Sequence, residues 1–516
     1  MSNTKTIARN AGWYGLETAI SFIVTLSTSI AIARTLGPTK LGYIIYVQWI
    51  AWIVTNLGGM GIPETTRKYM AEFLGMGDKG TARYIYIRTM MLQTAMATVA
   101  TAGIVVWVLT DATAEYRVAS ILLVLSIWPA MINFVSAQAN VATEKLLANL
   151  PASLISTLAF FVLIIATLVF KWGVTGVGVA TLASRAVDFL VRLVPTMRRI
   201  LGWERVHVQP PGLSKRMTAF AWKSVTGMIL ALIVWNRSEV ILLKHLCSDI
   251  RQIAFYSVAF SLAERLLISS TVFGLAAGAT IFAQYGRDKS KLPALAASSF
   301  RYLALTSIPL HFISAALAIP ALLLLYGNLY KDAAVVVTLA PLLCLPKAFL
   351  GPAQSLLESI ERQAYIIFAT VIAGILDLSV AWYLIPAHGA VGACVGSGVA
   401  QITAVGLMWA VCIRLCKVKI PWVLAIKVAC SSVAAALTAH YISIRFAPLL
   451  GILLGGSGAL LVLLGLFYLL RVLEPEDRTR LSTLTGMLPN AIAAPANSML
   501  FLLAPAEPAD EVTTNI

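Results

Sequence analysis

Apolar runs of about 18 residues or more follow one another along nearly the whole chain, and a run of that length is read as a membrane span. Hydrocarbon offers no partner to a backbone N–H or C=O, so a spanning segment is either a helix or part of a closed barrel. Barrel strands would show short stretches of alternating polarity, and these Leu/Ile/Val/Ala runs do not alternate. Charged residues make up only 12% of the chain, against about 25% in soluble domains. The chain therefore reads as an all-α polytopic membrane protein.

At about 20 apolar residues per crossing, the first half holds spans near 11–34, 42–63, 84–110, 117–139, 150–170 and 174–196. The second holds 217–243, 253–283, 294–326, 333–356, 363–386 and 389–413, and two more follow near 421–443 and 447–470. About fourteen helices result. The division is a first six-helix lobe at 1–196, a linker at 197–216, a second lobe at 217–413, two additional helices within 414–471, and a largely disordered cytoplasmic tail over 472–516. An interfacial segment within that tail would fall near Met499–Leu503.

The linker, Met197 to Arg216, carries Arg198, Arg199, Arg205, Lys215 and Arg216 against Glu204 alone, with Pro210 and Pro211 interrupting any helix. Basic connections mark the cytoplasmic side. Arg67, Lys68, Lys79 and Arg83 fall in one connection on the same side, and Arg287, Lys289 and Lys291 in another. The opposite connections, such as that holding Lys331, are poorer in cations, so both termini are expected in the cytoplasm. The net charge of +16 is accounted for by this surplus, and no nucleic-acid partner is implied. The N-terminal run continues into a first transmembrane helix, so no cleaved signal peptide is expected.

The halves resemble each other. GVTGVGVATLASR begins at Gly173 and GAVGACVGSGVAQ at Gly389, each opening the last helix of its half. Charged turns, GMGDKG and YGRDKSKL, follow the second helix of each. Repeated helical halves are the usual construction of secondary transporters.

Ionisable residues inside spans are costly and are functional candidates. Glu264 and Arg265 fall near the middle of the eighth span, and as neighbours they point to different helix faces. Arg237 and Glu239 lie toward the outer end of the seventh span and Lys223 near its inner end; each could instead be interfacial. Glu17 in the first span is either a proton or sodium carrier or the partner of a cation on another helix. Arg185, Asp188 and Arg192 share one face of the sixth span, the spacing of an intrahelical ion-pair ladder. Asp377, alone at the middle of the eleventh, is either a cation-coupling site or the partner of a base. The five histidines and six cysteines are dispersed, without metal-ligand spacing, and there is no Walker A motif. No metal, cofactor or enzymatic constellation is expected, and transport would draw on an ion gradient, the membrane potential or the substrate gradient.

LGPTKLGYIIY at Leu36–Tyr46 and GMGIPETTRKYMAEFLGMGD at Gly59–Asp78 resemble the start of the polysaccharide-biosynthesis flippases. These are the Wzx-type, O-antigen-transporter-like members of the superfamily that also contains MATE exporters and the lipid II flippase. YSVAFSLAERL at Tyr256–Leu266, LYGNLYKDAA at Leu325–Ala334 and LIPAHGAVGACVGSGVAQ at Leu384–Gln401 extend the resemblance, in order, to about residue 470. It implies two six-helix lobes forming a MATE-like V, plus two extra helices. It also implies export of an undecaprenyl-pyrophosphate-linked oligosaccharide by alternating access, with membrane lipid and a polysaccharide polymerase as partners and H+ or Na+ as a coupling ion. The cavity-lining first, second, seventh and eighth helices would supply Glu17, Glu64, Lys223, Arg237, Glu239, Glu264 and Arg265. In that reading Arg265, Arg237 and Lys223 bind the pyrophosphate, while Glu17, Glu264, Glu239 and Asp377 orient it or carry the ion. The first helix offers no mid-membrane cation, a departure from the lipid II flippase pattern. A lipid II flippase and a MATE-like exporter of small molecules are the competing readings.

Overall fold

Gly37 and Pro38 divide the first long helical run of the chain. The computed structural model describes residues 2–111, 116–204, 210–236, 238–474 and 477. In it α1 spans Ser2–Leu57, with Gly37 at φ 74°, ψ 172° breaking the helical path just before a proline that has no N–H to donate. After a turn, α2 (Ile62–Gly75) continues the same run to 59 residues from Glu17. As one helix that would be roughly 88 Å long, about three hydrocarbon cores. The break at Gly37 makes it two spans.

The first compact unit, Met1–Ala254, continues with α3 (Lys79–Asp111), α4 (Arg117–Leu125), α5 (Ile127–Ala142), α6 (Leu150–Val169) and α7 (Gly173–Leu201). It ends with α8 (Leu213–Trp235) and α9 (Glu239–Leu246), the helices that the sequence division placed in the second lobe. Here α7 packs on α4, α5 and α6, and α2 packs on α3, α5 and α8. One apolar core joins Tyr69, Met70 and Phe73 of α2 to Ile85 and Tyr86 of α3, Val135 and Ala139 of α5, and Met217 of α8.

The second unit, Phe255–Ile516, holds most of α10 (Arg251–Arg287), then α11 (Leu292–Ala316), α12 (Ala318–Tyr326), α13 (Ala334–Cys344) and α14 (Leu350–Ser359). It continues with α15 (Gln363–His388), α16 (Ala390–Cys416), α17 (Trp422–Ser443) and α18 (Pro448–Leu469). The α15–α16 and α17–α18 hairpins are closely paired, and α11 joins α17 to α13. α11 and α12 meet at a 63° bend, and a 3-10 turn at Leu345–Phe349, carrying Pro346, separates α13 from α14. No strand occurs among the described residues.

Each expected span has a helical counterpart. Among the described residues, 11 helices are long and apolar enough to cross a membrane, or 12 with the bent pair taken as one span. Dividing the first run at Gly37, and counting α7 although it carries Arg185, Asp188, Arg192, Arg198 and Arg199, brings the number to the fourteen expected. The connection after the second span is itself a helix, α2. Arg67 and Lys68, read as loop cations, are exposed on α2, and Lys68 Nζ lies 4.1 Å from the centre of the Phe220 ring. Pro63 at the first turn of α2 starts this helix rather than ending the previous one.

The matched glycines do the same work in each unit. Gly173 (φ 61°) and Gly389 (φ 52°) turn the chain into the helices α7 and α16. Three residues later, a Cβ on Gly176 would lie 2.3 Å from Thr167, and one on Gly392 would lie 2.6 Å from the Leu384 carbonyl carbon. The matched turns agree as well: Asp78 accepts a hydrogen bond from the Thr81 N–H (2.8 Å), and Asp288 from the Ser290 N–H (3.0 Å).

The linker is shorter than the sequence suggested, because α7 runs to Leu201 and carries Arg198 and Arg199 on its last turn. Its ends are tied down: Arg199 donates to Asn140 (2.6 Å), Arg83 to the Trp203 carbonyl (2.5 Å), and Arg216 to Glu72 (2.8 Å). At the other terminus Val472 and Leu473 are buried, and Asp477 bonds Arg301. The start of the tail is therefore packed. The expected segment at Met499–Leu503 lies outside the described residues.

Candidate functional site

The midplane charges on α10 form the clearest candidate. Glu264 and Arg265 occupy successive positions, so a helix must aim them about 100° apart. Glu264 turns toward the 3-10 turn between α13 and α14, where Lys347 Nζ stands 3.6 Å from its Oε1. Lys347 also sits 6.0 Å from the centre of the Phe260 ring, one turn along α10. Arg265 is exposed on the neighbouring face. The arrangement pairs a carboxylate with one cation and leaves a second cation on the next face of the helix, with the Glu264 side chain 35% and the Lys347 side chain 19% exposed. Such a group can hold an anion through the cations, or exchange the Lys347 contact for another partner when an ion or ligand arrives.

Lys347 escaped the sequence reading. It lies inside an expected span, LCLPKAF, where the rule that singled out Asp377 applies equally. α10 and α14 approach closely just along from this pair. A Cβ on Gly351 would fall 2.9 Å from Gly274 Cα, and one on Gly278 would fall 2.5 Å from Ser355 Oγ. Gly274–Gly278 and Gly351–Ser355 are small residues four apart on each helix, the pattern that lets helix backbones meet in lipid. That contact fixes α10 against the turn bearing Lys347.

The remaining candidates are spread through the units. Asp377 is fully buried on α15, and a Cβ on Gly396 of α16 would lie 3.2 Å from its Oδ1. Glu239, 1% exposed, opens α9 directly after the break that ends α8. Lys223 is exposed on α8, and Arg237 lies outside the described residues. Glu17 is half-buried on α1 and accepts hydrogen bonds from Ser21 (3.1 Å) and from Ser153 of α6. On α7 only part of the ladder forms. Arg192 pairs with Asp188 at 2.5 Å, Asn133 of α5 donates to the same carboxylate at 2.5 Å, and Arg185 is exposed. Glu64, in the first turn of α2, keeps one carboxylate oxygen buried.

No protein-family model matches the chain, and no curated protein matches it in sequence. Solved structures do. The chain is similar to the lipid II flippase MurJ in an inward closed conformation, at TM-score 0.69 and 12% identity over 87% of this chain and 97% of that one. It is similar to an inward-facing multidrug resistance MATE family transporter of the MOP superfamily, at TM-score 0.64 and 14% identity over 77% and 95%. A MOP superfamily transporter from Pyrococcus furiosus matches at TM-score 0.52 and 14% identity over 78% and 93%. At these identities the likeness shows the fold: a multi-pass, all-helical membrane protein with the architecture of MOP-superfamily transporters.

Proposed function

We propose that this chain is a flippase that carries a polyprenyl-pyrophosphate-linked oligosaccharide across the bacterial cytoplasmic membrane by alternating access. The observation that carries the reading is the Glu264–Lys347 pair, with Arg265 on the adjoining face of α10, a helix long and apolar enough to span a membrane. A pyrophosphate entering hydrocarbon alone would face a prohibitive solvation cost. Cations supplied by two segments, Arg265 by α10 and Lys347 by the turn packed on it, replace its hydration, and a guanidinium does so with a planar fork of donors. Glu264 then holds Lys347 in place until the anion arrives. Glu17, Glu239 and Asp377 are proposed to carry a coupled H+ or Na+, and Arg237 and Lys223 to assist the anion. The Asp188–Arg192 pair on α7 is assigned to holding the first lobe together.

The extra helices favour a flippase over a MATE-like exporter. The MurJ structure covers a tenth more of this chain than the MATE structure does, a length close to that of α17 and α18 together. The Wzx-like motifs favour a polysaccharide precursor, with a polymerase as a partner downstream, over lipid II itself. Residues 1–196 and 217–413 are inferred to superpose as two bundles.

Glycan export in cells, divided by the amount of folded protein in the membrane, tests this. Arg265→Ala should abolish export and Arg265→Lys should impair it partially. Normal export by well-folded Arg265→Ala would sink the assignment. For the orientation, a reporter fused within Met197–Arg216 should be active inside the cell. A cysteine at exposed Lys331 should react with an impermeant reagent added outside.

A further inference from the structure

A cavity of about 280 Å³ lies within the first unit, between α2, α3 and α8, and the proposed export cycle makes no use of it. Its polar lining is Ser214, in the first turn of α8, and Arg88, in the third turn of α3. Leu92 and Met96 follow on α3, roughly 6 and 12 Å further along the helix. Trp222, nine residues into α8, lines the opposite wall. Both Leu92 (52% exposed) and Trp222 (59%) keep exposed surface at its rim, so the cavity is open on that side.

The donors are few. The hydroxyls of Thr65, Thr89 and Thr218 are spent on carbonyls of their own segments, at 2.7, 2.8 and 3.0 Å. Arg88 gives one of its guanidinium N–H groups to the Tyr84 hydroxyl at 2.5 Å, and a guanidinium has five. Arg88, Ser214 and the indole N–H of Trp222 are thus the groups that can meet an acceptor entering the cavity, and Arg88 alone is charged. A single cation suits one singly charged phosphodiester better than a pyrophosphate. No carboxylate lines the cavity to receive an ammonium headgroup.

We propose that this cavity holds the headgroup end of one anionic glycerophospholipid, its phosphate on Arg88 and the first methylenes of an acyl chain along Leu92 and Met96. In the orientation proposed above, the lipid comes from the cytoplasmic leaflet; the site itself does not depend on that reading. Bound there, the lipid fills the joint between α8 and the α2–α3 pair. This joint is already tight at one point, where a Cβ on Gly61 would lie 2.6 Å from the Ala221 carbonyl oxygen.

The test uses the full-length chain, delipidated in detergent and titrated with phosphatidylglycerol, phosphatidylcholine of the same chains, or undecaprenyl phosphate, with binding read by native mass spectrometry. One phosphatidylglycerol should bind per chain severalfold more tightly than phosphatidylcholine, and Arg88→Gln should weaken it about tenfold. Phosphatidylglycerol with brominated chains should quench tryptophan fluorescence, and Trp222→Phe should remove part of that quenching. If Arg88→Gln lowers the melting temperature sharply, Met96→Trp replaces it as the test. That substitution fills the apolar end without touching the charge and should also exclude the lipid. Equal binding of the two phospholipids, or full binding by both folded variants, would overturn the site. Displacement of phosphatidylglycerol by an equal concentration of undecaprenyl phosphate would overturn the choice of occupant and give the cavity to the transported lipid.

Discussion

Lys347 Nζ stands 3.6 Å from Glu264 Oε1, joining the turn between α13 and α14 to the middle of α10. Both side chains keep some exposure, 19% and 35%, and where that surface lines a water-filled transport path such a pair is worth about 1 kcal/mol or less. A contact this weak is a poor reason to keep two charges inside an apolar span. Lys347→Ala should therefore leave the melting temperature within a few degrees of the parent while export falls at least tenfold, and Lys347→Arg should recover part of it. A merely structural pair would behave differently. Stability and export would fall together, and Glu264→Gln added to Lys347→Ala would restore both.

Helix identity was legible because span length and apolar content are properties of contiguous sequence, and every expected span has its helix. So was the Asp188–Arg192 pair, whose i,i+4 spacing is itself the geometry. Contacts between distant segments were not. Glu264 and Lys347 lie about a third of the second unit apart in sequence, and nothing in either local pattern names the other. By sequence the connection after the second span reads as a loop from Arg67 and Lys68, whereas both lie on α2, a helix of its own after the turn at 58–61. Pro63 at its first turn starts that helix, and the left-handed Gly61 just before it (φ 68°) marks where the turn ends. Gly274–Gly278 was visible as a motif, but its partner Gly351–Ser355 follows only from the packing.

That packing makes a second prediction. Because a Cβ on Gly351 would fall 2.9 Å from Gly274 Cα, backbone meets backbone and no side chain can yield. Gly351→Ala should cost roughly 1–3 kcal/mol, as overpacked sites do. Gly227, inside α8 with nothing within 4 Å of its Cβ position, is the control. There alanine should be neutral, or stabilise by up to about 1 kcal/mol through helix propensity. Thermal unfolding in one detergent separates the two, and equal shifts would refute the close contact.

Asp288, in the turn between α10 and α11, gives a prediction in pH. The Ser290 hydroxyl (2.6 Å) and N–H (3.0 Å) both donate to its carboxylate and hold its pKa below the ordinary 3.8. A carboxyl with a depressed folded pKa adds stability that is complete above the unfolded value and is lost as pH falls through the folded one. The melting temperatures of the parent and Asp288→Asn should thus differ by a constant amount from pH 8 to pH 5 and converge below about pH 4. A difference that persists unchanged at lower pH would show that the charge is not what matters.

The last prediction concerns the segment after α18. Arg301, near the start of α11, bonds Asp477 at 2.5 Å and Glu474 at 2.6 Å, and Asp477 also accepts from the Tyr302 hydroxyl (3.2 Å) and the Glu474 N–H (2.8 Å). The Arg301 and Asp477 side chains are 12% and 3% exposed, so solvent cannot take over if one is removed. Breaking a buried pair costs about 3–5 kcal/mol because the other charge is stranded. Glu474, 61% exposed, still reaches Arg301, so Asp477→Ala should fall below that range, at roughly 2–3 kcal/mol. Removing both partners in Arg301→Met/Asp477→Ala should recover a substantial part of the loss. Truncation after Leu473 should destabilise at least as much as Asp477→Ala, whereas truncation after residue 480 should not. Thermal unfolding of the four variants decides the matter. A chain ending at Leu473 that melts with the parent would mean that these residues do not hold the second unit together.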